Sequence, residues 1–339
     1  MATPLISIIV PVYNRADWVT ACVDSCRAQT IKNIEIILVD DGSTDRTPEV
    51  CRELCRKDFR IKWLQSVNQG VCAARNMGLA LAAGEFVYFL DSDDVLMPFA
   101  LEYSLACINW HKVGIVVCGE GAFSQNGIKT DAVAASLDEA RAYAETVYES
   151  CPEKAVVYPN FIACSSEHSS SFNAVMLRKA ICMRAGGFEP CLRAGEEAVF
   201  KMKIGILCPD EKVAWNLRPM TLLKRISDVS LAMQMRHLHA NPWGLRSLSL
   251  ICELLIEHQL VQEHRHRFDA LHSEIIGAFS RNQYADAYHA LEIWKQSLLP
   301  LPASVSNFRR FLHSVLGVAS SEILLNYMRK FKGWKCNGS

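Results

Sequence analysis

Apolar residues come in short unbroken runs, and each run ends in polar or turn-forming residues. Leu5-Ile6-Ser7-Ile8-Ile9-Val10, closed by Pro11, is the first, and Ile34-Glu35-Ile36-Ile37-Leu38-Val39 is the second. Ile61 to Gln65 is a shorter third, and Phe86 to Leu90 a fourth. Near-continuous apolar runs of this length suit strands buried on both faces, as in a parallel sheet. Helical patterns lie between them. One runs from Asn14 or Asp17 to about Gln29 and one from Thr44 or Asp45 to about Lys57. A third carries Ala73, Ala74, Arg75, Asn76 and Leu79 and stops near Gly84.

Strand and helix alternate four times with short loops. That predicts right-handed βαβ crossovers and an α/β fold, a mostly parallel central sheet with helices on both faces. Val113-Gly114-Ile115-Val116-Val117-Cys118 predicts a further buried strand, and Leu137 to Tyr148 a helix in a less regular stretch. From about Met233, Leu248, Ile251, Leu254 and Leu255, then Leu291, Trp294 and Leu298, fall at three- and four-residue spacing. The expected division is two halves of one domain, 1–115 and 116–232, and an added C-terminal helical region, 233–339.

In sheets of this kind ligands bind at the carboxyl ends of the strands, where the strand order reverses. The polar residues collect at those ends. Pro11, Tyr13 and Asn14 follow the first strand, Asp40-Asp41-Gly42-Ser43 the second, Asn68 and Arg75 the third, and Asp91-Ser92-Asp93-Asp94 the fourth. Four loops therefore converge on one crevice. Carboxylates at the end of a buried strand are costly unless they are paired or bind a metal. Asp91, Asp93 and Asp94 offer hard oxygen donors suited to Mg2+ or Mn2+ shared with substrate phosphates. The alternative is a solvated Asp-rich turn capping the helix after Pro98. The set suits a nucleotide diphosphate: a metal neutralises its charge, Arg75 forks onto a phosphate, Asp41 accepts from a base N–H, and Tyr13 offers a ring face or hydroxyl. No G-x-G-x-x-G follows the first strand and no G-x-x-x-x-G-K-[ST] occurs, so dinucleotide and P-loop readings lose their main support.

Four stretches, Ser7 to Asn14, Val39 to Asp45, Asn68-Gln69-Gly70 with Ala74-Arg75-Asn76-Met77-Gly78, and Leu90 to Asp94, together resemble glycosyltransferase family 2. The resemblance implies a GT-A fold and inverting transfer of a sugar from a nucleotide-diphosphate sugar to a hydroxyl of a glycan or lipid-linked glycan, in cell-surface polysaccharide or glycolipid synthesis. It implies that Pro11, Tyr13, Asn14, Asp41, Asn68, Arg75, Asp91 and Asp93 line the donor site, and that Asp93 and Asp94 hold Mn2+ or Mg2+. Ala185-Gly186-Gly187-Phe188-Glu189-Pro190, followed by Gly195-Glu196-Glu197, resembles a later family stretch whose second acid is usually an Asp general base. Glu197 stands there, with Glu196 as second candidate. Its extra methylene moves the carboxylate by ~1.5 Å. Without a catalytic role, the two acids would simply favour a helix N-terminus. Lys224 to Ser230 resembles a segment where many members carry a metal- or diphosphate-binding His; Ser227 takes that place, with Asp228 as a substitute ligand. These departures make a catalytically inactive nucleotide-sugar-binding module the alternative. His168, in a Ser-rich stretch, is an acceptor contact or part of an ordinary polar loop.

Composition adds bounds. The 339 residues carry 36 basic and 36 acidic side chains, which gives no argument for nucleic-acid binding. There are 14 cysteines and no Cys-x-x-Cys pair. Cys22/Cys26 and Cys51/Cys55 sit one helical turn apart, as small core hydrophobes do, which suggests reduced thiols and a cytoplasmic protein. No basic leader precedes the first strand, and no apolar stretch reaches the ~18 residues of a spanning helix. Residues 301–339 carry six Lys/Arg against one acid, with aromatic and aliphatic residues interleaved. That pattern predicts a membrane-surface or partner helix.

Overall fold

The computed structural model describes residues 3–124, 134, 136–146, 152–167, 172, 174–226 and 242–264, and residues 267, 271, 274, 286, 289, 290, 293, 296 and 297. The chain divides into two compact units, 1–237 and 238–339.

The first unit runs β1 (Ile6–Val12), α1 (Val19–Arg27), β2 (Ile34–Asp40), α2 (Thr47–Lys57), β3 (Ile61–Gln65), α3 (Val71–Leu81) and β4 (Phe86–Phe89). It continues with β5 (Val95–Leu96), α4 (Ala100–His111), β6 (Ile115–Ser124), α5 (Leu137–Thr146), β7 (Val156–Tyr158) and α6 (Phe161–Glu167). It closes with β8 (Val175–Arg178), α7 (Lys179–Arg184), α8 (Glu196–Leu207) and β9 (Val213–Ile226). Nine strands form one sheet in the order β3-β2-β1-β4-β8-β6-β9-β5, with β7 also paired to β9. β3, β2, β1 and β4 are parallel neighbours, as the alternation predicts. β8 then lies antiparallel between β4 and β6, so the far half is mixed. The order reverses at β1, which has β2 on one side and β4 on the other.

β1 runs on past its expected stop at Pro11, to Val12. Its pairing with β4 ends at Ile9↔Phe89, so the missing Pro11 N–H falls beyond the last rung on that side. Ile6, Ile8, Val10 and Val12 join Val19, Cys22 and Cys26 of α1, Cys51 and Leu54 of α2, and Leu101 and Cys107 of α4 in one core. Burial pushes the Cys51 thiol up to about 12, so it packs as a neutral group. Of the twelve cysteines described, all are free thiols and ten are buried. The opposite face of the sheet meets α3 and α8. There Phe89 packs edge-on against Phe188 at 5.1 Å, and Phe188 lies 4.2 Å from Phe200. Each such fully buried apolar side chain stabilises by roughly 1.5–3 kcal/mol.

In the second unit α9 (Pro242–Glu257) buries Leu245, Ile251, Cys252 and Leu255. Leu248 and Leu254 are half-buried. Leu291, Trp294 and Leu298, and all of 301–339, lie outside the described residues. Among the described residues no helix is long and apolar enough to cross a membrane.

Candidate active site

The loops after β1 and β2 are tied to each other by short polar side chains. Asn14 takes a left-handed backbone (φ 52°), which its short amide tolerates. Its N–H donates to Ser43 Oγ (2.9 Å), and its Oδ1 accepts from the Thr44 N–H (2.9 Å). The Arg15 N–H donates to Thr47 Oγ1 (2.8 Å) and the Ala16 N–H to Asp45 Oδ2 (3.3 Å). Neither Asn14 nor Thr44 caps a helix; α1 starts at Val19 and α2 at Thr47. Asp41 ties in the third loop. Its two oxygens accept from the Gln69 N–H (2.8 Å) and the Gly70 N–H (2.7 Å) at the start of α3. Gly42 (φ 75°) makes the turn, and a Cβ there would sit 2.8 Å from the Asn68 nitrogen. Asp40 Oδ1 accepts from the Ser43 N–H (2.9 Å), while its buried Oδ2 has no partner. Tyr13 stands 44% exposed at the rim. Pro11 is buried in β1.

Arg75 sits at the centre. It is on α3, with 4% of its side chain exposed. Nη2 donates to Asp91 Oδ1 at the end of β4 (2.9 Å), and Nη1 to Glu196 Oε1 at the start of α8 (2.8 Å). Glu197 Oε1 lies 3.9 Å from Nη2. The guanidinium carbon lies 5.1 Å from the Phe188 ring centre. The phosphate contact expected of Arg75 therefore meets a fork already engaged by two acids. The residues beside it also reach across. Cys72 Sγ donates to the Leu192 carbonyl (3.3 Å). The Asn76 amide both donates to the Phe188 carbonyl and accepts from the Phe188 N–H (2.8 Å each). The Ala-Arg-Asn stretch binds the 186–196 segment to α3.

Glu197 Oε2 accepts from the Phe172 N–H (2.9 Å). Burial pushes its carboxyl above the usual range, against the pull of Arg75, and Asp91 and Glu196 add to the rise. A carboxylate raised in this way is a stronger base than an exposed one.

The acidic stretch divides by burial. Asp91 is 35% exposed on its side chain and paired with Arg75. Asp93 is 21% exposed; its Oδ2 meets Arg225 Nη2 at 2.8 Å and Arg15 Nε at 3.6 Å. Asp94, the other expected metal ligand, is instead buried, and its Oδ1 accepts from the Arg225 N–H (3.1 Å). Burial, then the charges of Asp91 and Asp93, push its carboxyl well up, which favours the neutral form. Among the described residues no group of three His, Cys, Asp or Glu converges to hold a metal unaided. Asp93 nevertheless fits a hard cation that arrives with its phosphates, since Mg2+-type sites use one or two carboxylates plus substrate oxygens. Ser227, Asp228 and His168 lie outside the described residues.

Several side chains here were not legible as site residues. The Arg225 guanidinium lies 4.0 Å from the centre of the Trp18 ring as well as on Asp93. Arg193 Nη1 reaches Asn68 Oδ1 (3.4 Å). Lys224 lies 3.7 Å from Glu120. The one available signal was the Lys224-Arg225 pair inside the family-like segment.

Residues 7–148 match the model of the family described as Glycosyl transferase family 2. These residues belong to glycosyltransferase family 2. EpsH of Bacillus subtilis (strain 168) is 40% identical over 130 residues, 38% of this chain and 38% of that protein. The glycosyltransferase GlyA of Streptococcus pneumoniae serotype 4 is 49% identical over 89 residues, 26% of this chain and 13% of that one. The chain thus matches well under half the length of these curated relatives. Among solved structures, S. aureus TarS 1–349 in complex with UDP-GlcNAc superposes with a TM-score of 0.64 at 18% identity, covering 98% of this chain and 93% of that one. That likeness speaks to the fold: the family 2 domain is GT-A-type, a mixed central sheet flanked by helices.

Proposed function

We propose that the family 2 domain transfers a sugar from a nucleotide-diphosphate sugar to an acceptor hydroxyl, with inversion. The observation that carries this reading is Glu197. It is a partly desolvated carboxylate at the mouth of the sheet, with one oxygen fixed by the Phe172 N–H and the other outside hydrogen-bond reach of Arg75. Asp91 and Glu196 are both engaged by Arg75, so Glu197 is the acid placed to accept a proton. The acceptor hydroxyl gives its proton to Glu197 and attacks the anomeric carbon opposite the departing diphosphate. The transition state is oxocarbenium-like, by analogy with glycoside hydrolysis. Arg225 and Arg15 place positive charge beside Asp93, at the end of the crevice where the diphosphate departs. Asp93 would hold a divalent ion, which supplies further neutralisation of the leaving group.

The donor panel begins with UDP-sugars, because TarS was crystallised with UDP and with UDP-GlcNAc. The acceptor is a growing glycan or a lipid-linked glycan, and the basic amphipathic 301–339 stretch would bring the enzyme to a membrane surface. Release of nucleoside diphosphate from the panel, with Mn2+ present, tests the reading. Glu197→Gln should lower turnover by ~100-fold or more while leaving donor binding intact. Unchanged turnover in that variant would overturn the base, and no release from any donor with any acceptor would favour an inactive binding module.

A further inference from the structure

We infer that Arg75 is a positioning residue for Glu197, which ties the start of α8 to the end of β4, and is not a contact to the donor's phosphates. The inference rests on Glu197 being the base. Three observations carry it. Both terminal nitrogens of the guanidinium are engaged, Nη1 by Glu196 at 2.8 Å and Nη2 by Asp91 at 2.9 Å, while its buried Nε has no partner. Phe188 covers the ring-facing side of the guanidinium at 5.1 Å, and the side chain is almost wholly removed from solvent. A phosphate that took either terminal nitrogen would displace Asp91 or Glu196, and losing the guanidinium is costly above all for Glu196, whose side chain is 13% exposed. Finally, Glu196 and Glu197 are the first two residues of α8, so anchoring one fixes the backbone of the other.

Arg75 also acts on the charge of Glu197. The groups facing that carboxylate are Arg75 from α3, Asp91 beyond β4, Glu196 and Lys201 on α8, Lys224 on β9, and the Phe172 N–H. Arg75, the two lysines and the N–H favour the carboxylate. Burial, Asp91 and Glu196 oppose it. Removing Arg75 leaves the carboxyl holding its proton more tightly, so the free base forms only at higher pH.

The test uses Arg75→Lys and Arg75→Gln in the full chain, with steady-state kinetics across pH. Lys keeps the charge but lacks the two-pronged geometry. The expected result is a donor KM within about twofold of wild type and a kcat lowered ~100-fold, the scale of a misplaced catalytic group. The acid limb of the kcat profile should move to higher pH in Arg75→Gln, and less in Arg75→Lys. Arg75→Gln combined with Glu196→Gln removes one uncompensated acid and serves if the single variant does not fold. A donor KM raised tenfold or more with an unmoved acid limb would make Arg75 a phosphate ligand and overturn the inference alone. Wild-type turnover in Glu197→Gln would overturn the base and this inference with it.

Discussion

The pair between Arg225 and Asp93 sets what a cation meets on arrival. The guanidinium rests on Trp18 and spends Nη2 on Asp93, the carboxylate proposed to hold the metal. Removing that charge should make Asp93 a better ligand. Arg225→Gln is expected to tighten Mn2+ binding in the absence of donor by about tenfold, since a close charge contact is worth on the order of 1.5 kcal/mol. Electron paramagnetic resonance titration of free Mn2+ reads this directly; equal affinities would show that the pair does not compete with the ion. Asp91, Asp93 and Asp94 were legible as a candidate site because a buried strand ending in acids demands an explanation. Their separate fates were not. Asp94 is bound by an N–H 131 positions further on and Asp91 by a guanidinium on α3, and a linear sequence shows neither partner. Asp41 was legible as a site-loop residue, but its two backbone partners become visible only once the loops are folded together.

At the scale of elements, the first four strands were legible because each is an unbroken apolar run in a repeating alternation. β8 was not, since Val175–Arg178 is short, ends in a charged residue and follows a Ser-rich stretch that breaks the strand-helix alternation. β9 was hidden by the proline at 219. The pairing of its fourteen residues with β6 is irregular between Cys118↔Asn216 and Gly119↔Met220. Close packing of α3 on β1 depends on Gly78, where a Cβ would lie 2.3 Å from Ile9 Cγ2. Gly78→Ala should cost about 1–3 kcal/mol in urea unfolding. Adding Ile9→Ala should cost less than the sum of the two single changes, because both act on one contact. The α2–β3 turn is held by Asp58, which accepts from the Arg60 N–H (3.0 Å) and pairs with Arg60 Nη2 (2.7 Å) and Arg27 Nε (3.2 Å). The Arg60 hydrogen bond, offsetting burial, holds its carboxyl down at about 2. The folded value lies below the unfolded one, so this stability is present above the ordinary Asp range and is lost as pH falls toward 2. Asp58→Asn should cost about 1–2 kcal/mol at neutral pH, discounted for the exposed Arg27, and nearly nothing at pH 2. A difference unchanged across pH would remove the charge from the explanation.

For the whole molecule, every candidate site residue described belongs to the first compact unit. A chain ending at residue 237 should therefore keep donor recognition. At a donor concentration of 100 times Kd its stability should rise by about 2.7 kcal/mol, as in the full chain, which a thermal melt would detect. Loss of that response in the shortened chain would assign part of the donor site to residues 238–339. The tie between α3 and the 186–196 segment has a consequence for building hybrids. The stretches shared with relatives, 89 to 130 residues long, invite exchange of one nucleotide-binding half for another. Such a chimera must match Cys72, Arg75 and Asn76 on one parent to the carbonyls of Leu192 and Phe188 and the acid at 196 on the other. A seam cut without regard to those partners would produce a protein that still folds its sheet yet presents the carboxylate of residue 197, the proposed base, to the wrong spot.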